Sequence, residues 1–299
     1  MNPAPVRRLV HVGLPKTATT MLQTDVFPVL PDRQYVGVRQ PRHAGQDLLY
    51  AALRTATTAG TPGDLELARR RWSDCPPTTI LSEEMLTVSE PEASWRDKLR
   101  WLSSIVADTP TDILVTVRDP VEGLFSYHVE RRKQSAWAST RFMDAVANDE
   151  ALHIFRYADL LAELRLHFSG NRLLFVRFED LTTNLTVALG AVGIHVPDAV
   201  TPTARNVRAK TSEHATTGQR PTVRTTVRQA AQRVPTWARP GPRRRRLLGK
   251  LTGPLDRLRM PEKKVPRPTE QEALHLRATL RPHVQALLDA TGLRYQGYD

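Results

Sequence analysis

Apolar and polar positions along this chain change period repeatedly. Short apolar runs occur at Leu9-Val10-His11-Val12, at 35–38, at Thr78-Thr79-Ile80-Leu81, at 113–117 and at 173–178. They are rich in β-branched and aromatic residues and stop at glycine, proline or charge, so they read as strands. Between them apolar residues recur at helical spacing. A helix is expected from Thr17 to about Val26, where Phe27-Pro28 and Pro31 discourage continuation. Others are expected at 48–54 and, after a Gly/Pro-containing loop at 58–63, at 65–72. The stretch 93–107 places Trp95, Leu99, Leu102 and Val106 on one face. Pro120 marks a helix start, an amphipathic stretch runs from Ile154 to about Phe168, and a closing helix over 270–291 ends at Gly292.

Strands separated by helices predict an α/β fold with a central parallel sheet and right-handed crossovers. Ligands in such sheets bind beyond the carboxyl ends of the strands. Three strands here end in polar residues: Lys16 with its threonines, then Glu83 and Glu84, then Arg118. One shared site at that edge is the expectation.

The first of these ends is the most informative. The run breaks at Gly13 and Pro15, and a lysine and three threonines follow before the helical pattern resumes. Free amides at a helix start face an incoming anion, and the helix dipole adds partial positive charge there. Lys16 supplies a full charge, while Thr17, Thr19 and Thr20 supply hydroxyl donors. The stretch lacks the Gly-Lys-[Ser/Thr] ending of a Walker A loop. An ordinary strand-to-helix turn is the plainer alternative.

The third end reads Arg118-Asp119-Pro120-Val121-Glu122-Gly123-Leu124-Phe125-Ser126-Tyr127-His128. An arginine at a strand end forks two oxygens of a phosphate, and a serine two helical turns later reaches the same anion if the helix packs beside the first loop. An Arg–Asp pair at a helix start, with Ser126 merely on a helix face, is the alternative.

The order Pro15-Lys16-Thr17-Ala18-Thr19-Thr20 resembles the loop with which PAPS-dependent sulfotransferases grip the 5′-phosphosulfate of their donor, 3′-phosphoadenosine 5′-phosphosulfate. The Arg118 to Ser126 spacing resembles the segment with which that family holds the 3′-phosphate. The likeness covers about residues 9–195, with both motifs in the family's order. Ala18 stands where the family usually has glycine, a change tolerated in a helical backbone and harmful at positive φ.

The resemblance implies a three-layer P-loop-like fold, PAPS as donor, PAP as product and no metal. It implies donor contacts from Pro15, Lys16, Thr17, Ala18, Thr19, Thr20, Arg118 and Ser126, with Tyr157 near the adenine. A tyrosine at a helix start also reads as packing. Glu179 and Asp180 match a late family element and read equally as helix-start charges. Sulfuryl transfer needs positioning, a cation at the leaving oxygen and a base for the acceptor proton. Lys16 is the candidate cation. The family takes its base from the end of the second strand, so Glu84 is the candidate base and Glu83 its reserve, although one of them also reads as a cap for a helix around Met85. His128 is a lesser rival.

Composition bounds the rest. With 299 residues, 40% hydrophobic and 25% charged, the chain suits a globular protein with one sizeable core, and is just long enough for two small ones. A single domain over 1–299 is expected. The N-terminal apolar run is too short for a signal-peptide core, and no stretch is long enough to span a bilayer, so a cytoplasmic location is expected. Cys75 is the only cysteine, which rules out an internal disulfide or a thiolate metal cluster. The net charge of +12 is uneven: residues 201–299 hold 21 Lys/Arg against 7 Asp/Glu. A basic Pro/Arg-rich insertion or lid is therefore expected at about 201–268, including Arg243-Arg244-Arg245-Arg246. It suits a donor dianion, an anionic acceptor or an anionic membrane surface. The acceptor is expected to be a small molecule, a carbohydrate or lipid-linked. A P-loop kinase or NTPase is the second reading. A nucleic-acid-binding protein is the third, and aromatic residues, only 6% of the chain, do not interleave with the arginines as in RNA binders.

Overall fold

Leu9 and Val10 are consecutive, yet they belong to two separate apolar cores. The computed structural model describes residues 6–38, 47–132, 140–198, 200, 214–216 and 264–298, and every structural statement concerns those residues. Five strands form one parallel sheet: β1 (Arg8–His11), β2 (Gln34–Gly37), β3 (Thr79–Ser82), β4 (Thr111–Val117) and β5 (Arg172–Arg177). Their order is β2-β3-β1-β4-β5. The register sets Leu9 beside Ile80, Val10 beside Ile113 and Leu114 beside Leu174.

Alternation along the strands divides the residues between the two faces. Val10, Leu81, Ile113, Val115 and Val117 join one core. Side chains from α2 (Leu48–Ala59), α3 (Pro62–Ser73), α4 (Trp95–Val106), α5 (Pro120–Arg131), α6 (Phe142–Asn148) and α7 (Tyr157–His167) add to it, as do Leu276, Leu280, Val284 and Leu287 of the C-terminal helix. Leu9, Ile80, Leu114 and Val176 join the other. That face is covered by the helical run after β1, by α8 (Phe178–Thr183) and by α9 (Leu185–Gly190). The result is the expected three-layer, P-loop-like α/β fold. A separate antiparallel pair joins β6 (His214–Thr216) to β7 (Lys264–Pro266), and α10 (Glu270–Thr291) packs on α7.

Local chemistry explains the boundaries. Ser94 and Asp97 form a capping box on α4, and Thr269 and Glu272 form another on α10, which stops at Gly292 in the left-handed region. β4 begins two residues earlier than its apolar run suggests, because Asp112 is satisfied within the sheet by Arg7 at 2.8 Å and by Arg172. The helix expected from Thr17 is instead a single α turn, α1 (Thr19–Met21), followed by a π turn over Leu22–Val26 and a 3₁₀ turn over Phe27–Val29. It starts late because Lys16 and Ala18 both adopt positive φ, 69° and 65°. α2 runs past the expected 54 to Ala59, where Gly60 ends it. The stretch expected as one helix from Ile154 divides into a 3₁₀ run, Glu150–Phe155, and α7.

The basic stretch 201–268 lies outside the described residues apart from 214–216 and 264–268, and Arg243–Arg246 fall in the part not described. No helix among the described residues is long and apolar enough to cross a membrane.

Candidate functional site

β1 lies at the centre of the sheet with β3 on one side and β4 on the other, so the ends of these three strands are adjacent. The chain order reverses about β1, the place where open α/β sheets leave a crevice. Gly13 to Thr19, Ser82 to Glu84 and Arg118 therefore come together as the strand endings predict.

Gly13 lets the first loop fold back tightly. A Cβ there would sit 2.2 Å from Thr19 Cγ2 and 2.8 Å from the His11 ring. The Gly13 carbonyl accepts from Thr87 Oγ1 at 2.8 Å. Ala18 precedes α1 in the left-handed conformation, which its Cβ disfavours.

The loop is held at two points, once to the link between β4 and α5 and once to α5 itself. Arg118 Nη1 donates to the Lys16 carbonyl at 3.1 Å, and Lys16 Nζ lies 2.9 Å from Glu130 Oε2 in the last turn of α5. Ser126 is half-buried one helical turn before Glu130, on the same face of α5. The guanidinium of Arg118 stacks 4.5 Å from the Phe178 ring centroid, and its Nε is buried with no protein partner. Burial lowers its pKa from the usual arginine range, while Glu122, Glu179 and Asp119 oppose that shift. Asp119 caps α5 by accepting from the Glu122 amide at 3.0 Å. A second guanidinium comes close to this corner from the basic stretch: Arg267 Nη1 is 3.3 Å from Glu122 Oε1, with its charge over the Phe125 ring.

The threonines separate into different roles. Thr19 Oγ1 donates to Glu84 Oε2 at 2.7 Å, tying the candidate base to the loop. Thr17 is fully buried and turns inward, donating to the Leu14 carbonyl at 2.6 Å. Thr20 is half-buried, with its carbonyl accepting from Thr24 Oγ1. Pro15 is buried at the turn itself.

The two glutamates also differ. Glu83 is fully buried: Oε1 accepts from the Met85 amide at 2.8 Å and Oε2 from the Tyr50 hydroxyl. It is the cap of a 3₁₀ turn over Glu84–Thr87. Glu84 is half-buried at the rim beside Thr19. Lys98, wholly buried, donates to the Met85 and Val88 carbonyls and to Glu90, fixing the segment after Glu84.

Tyr157 is enclosed rather than open to a ligand. Its hydroxyl accepts from the Arg118 amide at 3.1 Å and donates to the Arg118 carbonyl, and its ring stacks on Tyr295. It acts on the site by holding Arg118 in place. Glu179 Oε1 accepts from the Asp119 amide at 3.0 Å, and burial raises its pKa. His128 is buried against Phe142, with its pKa lowered to about 4 by desolvation and by Arg132 and Arg131.

Sequence reasoning did not single out His11, Gln23, Thr116, Tyr50, Lys98 or Glu130. Polar residues inside apolar runs, as His11 is, were the available signal.

No protein-family model matches this sequence, and no curated protein matches it. Among solved structures, the chain is similar to a sulfotransferase from Alicyclobacillus acidocaldarius, at 13% identity and a TM-score of 0.43, over 69% of this chain and 87% of that one. It is similar to a mouse sulfotransferase complexed with PAP, at 16% identity and 0.39, over 66% of this chain and 61% of that one. It is also similar to shikimate kinase from Bacteroides thetaiotaomicron, at 10% identity and 0.32, over 62% and 98%. Likenesses at this level do not separate a sulfotransferase from a kinase; that choice falls to the residues.

Proposed function

We propose that this chain is a PAPS-dependent sulfotransferase that moves a sulfo group to a hydroxyl or amine of a small-molecule, carbohydrate or lipid-linked acceptor. The observation that carries the reading is the contact between the two sequence motifs. Arg118 bonds the Lys16 carbonyl, and Lys16 bonds α5, so two motifs far apart in sequence are neighbours at one edge of the sheet.

The donor set fits a nucleotide bearing phosphate or sulfate at both ends. Lys16 and the amides at the start of α1 suit one anionic end. Arg118, with a buried Nε that lacks a protein partner, and Ser126 suit the other. The donor, when bound, supplies an activated sulfur on a bridging oxygen. Lys16 would neutralise charge growing on that oxygen. Glu84, held at the rim by Thr19, would take the proton of the attacking acceptor. Glu83, with both oxygens engaged internally, supports Glu84 by capping the turn that carries it. A basic segment over 201–268 favours an acceptor that already carries negative charge.

The decisive experiment is incubation with labelled PAPS and an acceptor panel, with mass spectrometry for an added sulfo group. A companion thermal-shift titration compares PAP with ATP–Mg²⁺. Stabilisation by PAP and none by ATP–Mg²⁺ is expected; the reverse would make the chain a P-loop kinase or NTPase.

A further inference from the structure

Beneath the loop lies a polar chain that neither motif accounts for. Its members are Gln23 in the π turn, Ser82 at the end of β3, His11 at the end of β1, Thr116 in β4 and Thr17 in the loop. All five are buried. The direction of every hydrogen bond follows from its end. The Leu14 carbonyl only accepts, so Thr17 Oγ1 spends its one proton there, at 2.6 Å. Thr17 Oγ1 is then the acceptor for Thr116 Oγ1 at 2.7 Å. Thr116, its proton used, must accept from His11 Nε2 at 3.2 Å. That requires the Nε2–H tautomer, which leaves Nδ1 as acceptor for Ser82 Oγ at 2.7 Å. Ser82 Oγ accepts in turn from Gln23 Nε2 at 3.2 Å.

We propose that His11, as the neutral Nε2–H imidazole, is a positioning residue: it carries this one-way chain from Gln23 to the Leu14 carbonyl and so fixes the anion-receiving shape of the loop. The chain fastens Leu14 and Thr17, the residues on either side of Pro15 and Lys16. Lys16 and Ala18 hold positive φ there, a backbone state that L-residues keep only when their surroundings impose it. A ring in this place also serves the loop sterically, since Gly13 packs directly on it. The T-shaped contact of Phe27 closes the other side at 5.4 Å. The same chain links β3, which ends at the candidate base, to the loop that carries the candidate cation. Identifying the anion as a sulfo donor rests on the proposed function; the hydrogen-bond chain does not.

The test is nitrogen-detected NMR of the histidine rings in the full-length protein, paired with amide exchange over residues 15–19 and calorimetry with PAP. The wild-type His11 should show a proton on Nε2 and none on Nδ1. Thr17→Val removes the acceptor for Thr116, whose hydroxyl is then free to donate to Nε2. The His11 proton should then divide between Nε2 and Nδ1, because each tautomer leaves one hydroxyl proton, that of Thr116 or that of Ser82, without an acceptor in the chain, and loop exchange should quicken about tenfold or more. PAP should bind about tenfold more weakly to this variant. Should Thr17→Val fail to fold, Thr116→Val, well suited to a strand, removes only the relay oxygen and should quicken exchange in the same way. A wild-type proton on Nδ1 would overturn the proposal. So would unchanged tautomer and exchange in a folded Thr17→Val, or unchanged exchange in Thr116→Val where only that variant folds. Failure of the wild type to bind PAP would end the sulfotransferase reading, with the tautomer and exchange results still deciding the chain.

Discussion

Lys16 and Glu130 form an ion pair of 2.9 Å that joins the loop after β1 to the last turn of α5. The one full cation of the loop thus meets a carboxylate at the point where a phosphate or sulfo group would need it. The two side chains are 34% and 36% exposed, so water screens the pair. Such pairs are worth about 0.2–1 kcal/mol. A polyanionic nucleotide can displace that, yet must work against it. Glu130→Gln should therefore tighten PAP binding about two- to fivefold by isothermal calorimetry, while Lys16→Ala should weaken it by the worth of a charge-assisted bond, about 1.5–3 kcal/mol. Equal affinity in Glu130→Gln and wild type would show that the carboxylate does not compete.

Ala18 carries a Cβ at φ 65°, where the resembled family usually has glycine. Holding an L-residue there costs about 1–2 kcal/mol. Glycine removes the strain but adds freedom to the unfolded chain, which returns up to about 1 kcal/mol. Ala18→Gly should stabilise the protein by about 0.5–1 kcal/mol, a rise of a few degrees in melting temperature. The same change should leave PAP affinity unaltered or better. A lower melting temperature would mean that the loop does not hold positive φ at this position.

Glu84 and Thr19 are bonded at 2.7 Å, so the candidate base is anchored by the loop that carries Lys16. Glu84→Gln keeps an oxygen to accept from Thr19 and loses the ability to take a proton. Turnover should fall by about two to four orders of magnitude, the usual worth of a general base, with PAP affinity unchanged. Glu83→Gln would instead act on folding, since Glu83 caps the Glu84–Thr87 turn and accepts from Tyr50. Comparable turnover of Glu84→Gln and wild type in the sulfo-transfer assay would remove Glu84 from the role.

Much of this arrangement is legible in the residue pattern. Apolar runs locate β1, β3, β4 and β5, and Pro120 locates the start of α5, because burial and backbone sterics act within a few residues. The meeting of the Lys16 loop with Arg118 is legible too, because strand ends in a parallel sheet share an edge. What the pattern hides are partners fixed only by the folded chain. Nothing local tells that Lys16 will meet Glu130, or that Tyr157 will clasp the Arg118 backbone. The π turn at Leu22–Val26 keeps its apolar residues inward much as an α-helix would, so periodicity cannot distinguish the two. His11 interrupts an apolar run and reads as a blemish until Ser82 and Thr116 stand on either side of it.

Tyr157 satisfies both the amide and the carbonyl of Arg118 through one hydroxyl. Tyr157→Phe preserves the ring stack on Tyr295 and leaves two main-chain groups without that partner. Each unsatisfied buried group costs about 1–3 kcal/mol. Chemical denaturation should show a loss of about 2–6 kcal/mol for the two groups together, and PAP binding should weaken with it because Arg118 is no longer fixed. Loss of stability with unchanged PAP affinity would mean that Arg118 keeps its place without the tyrosine.

Acid should destabilise this protein well above the range in which carboxylates titrate. Burial holds His11 neutral, lowering its pKa from 6.5 to about 3, and burial with Arg132 and Arg131 lowers that of His128 to about 4. Above pH 6.5 both imidazoles are neutral whether the chain is folded or not, so they impose no penalty there. Below it the unfolded chain takes up protons that the folded chain refuses, and stability falls until the folded pKa values are reached. Asp119 and Glu179 have the opposite sign: burial raises both, so they favour the folded state as pH drops through their folded values. The histidine effect begins near pH 6.5, where the unfolded imidazoles start to take up protons. Urea denaturation should show a loss of about 1–2 kcal/mol per buried histidine between pH 7.5 and pH 5. His128→Leu should remove its own share of that loss and leave the His11 part, since His128 lies on α5 outside the hydrogen-bond chain. Uptake of a proton by the His11 ring of the folded protein between those pH values, followed by ring NMR, would mean that the neutral ring between Ser82 and Thr116 is the wrong description.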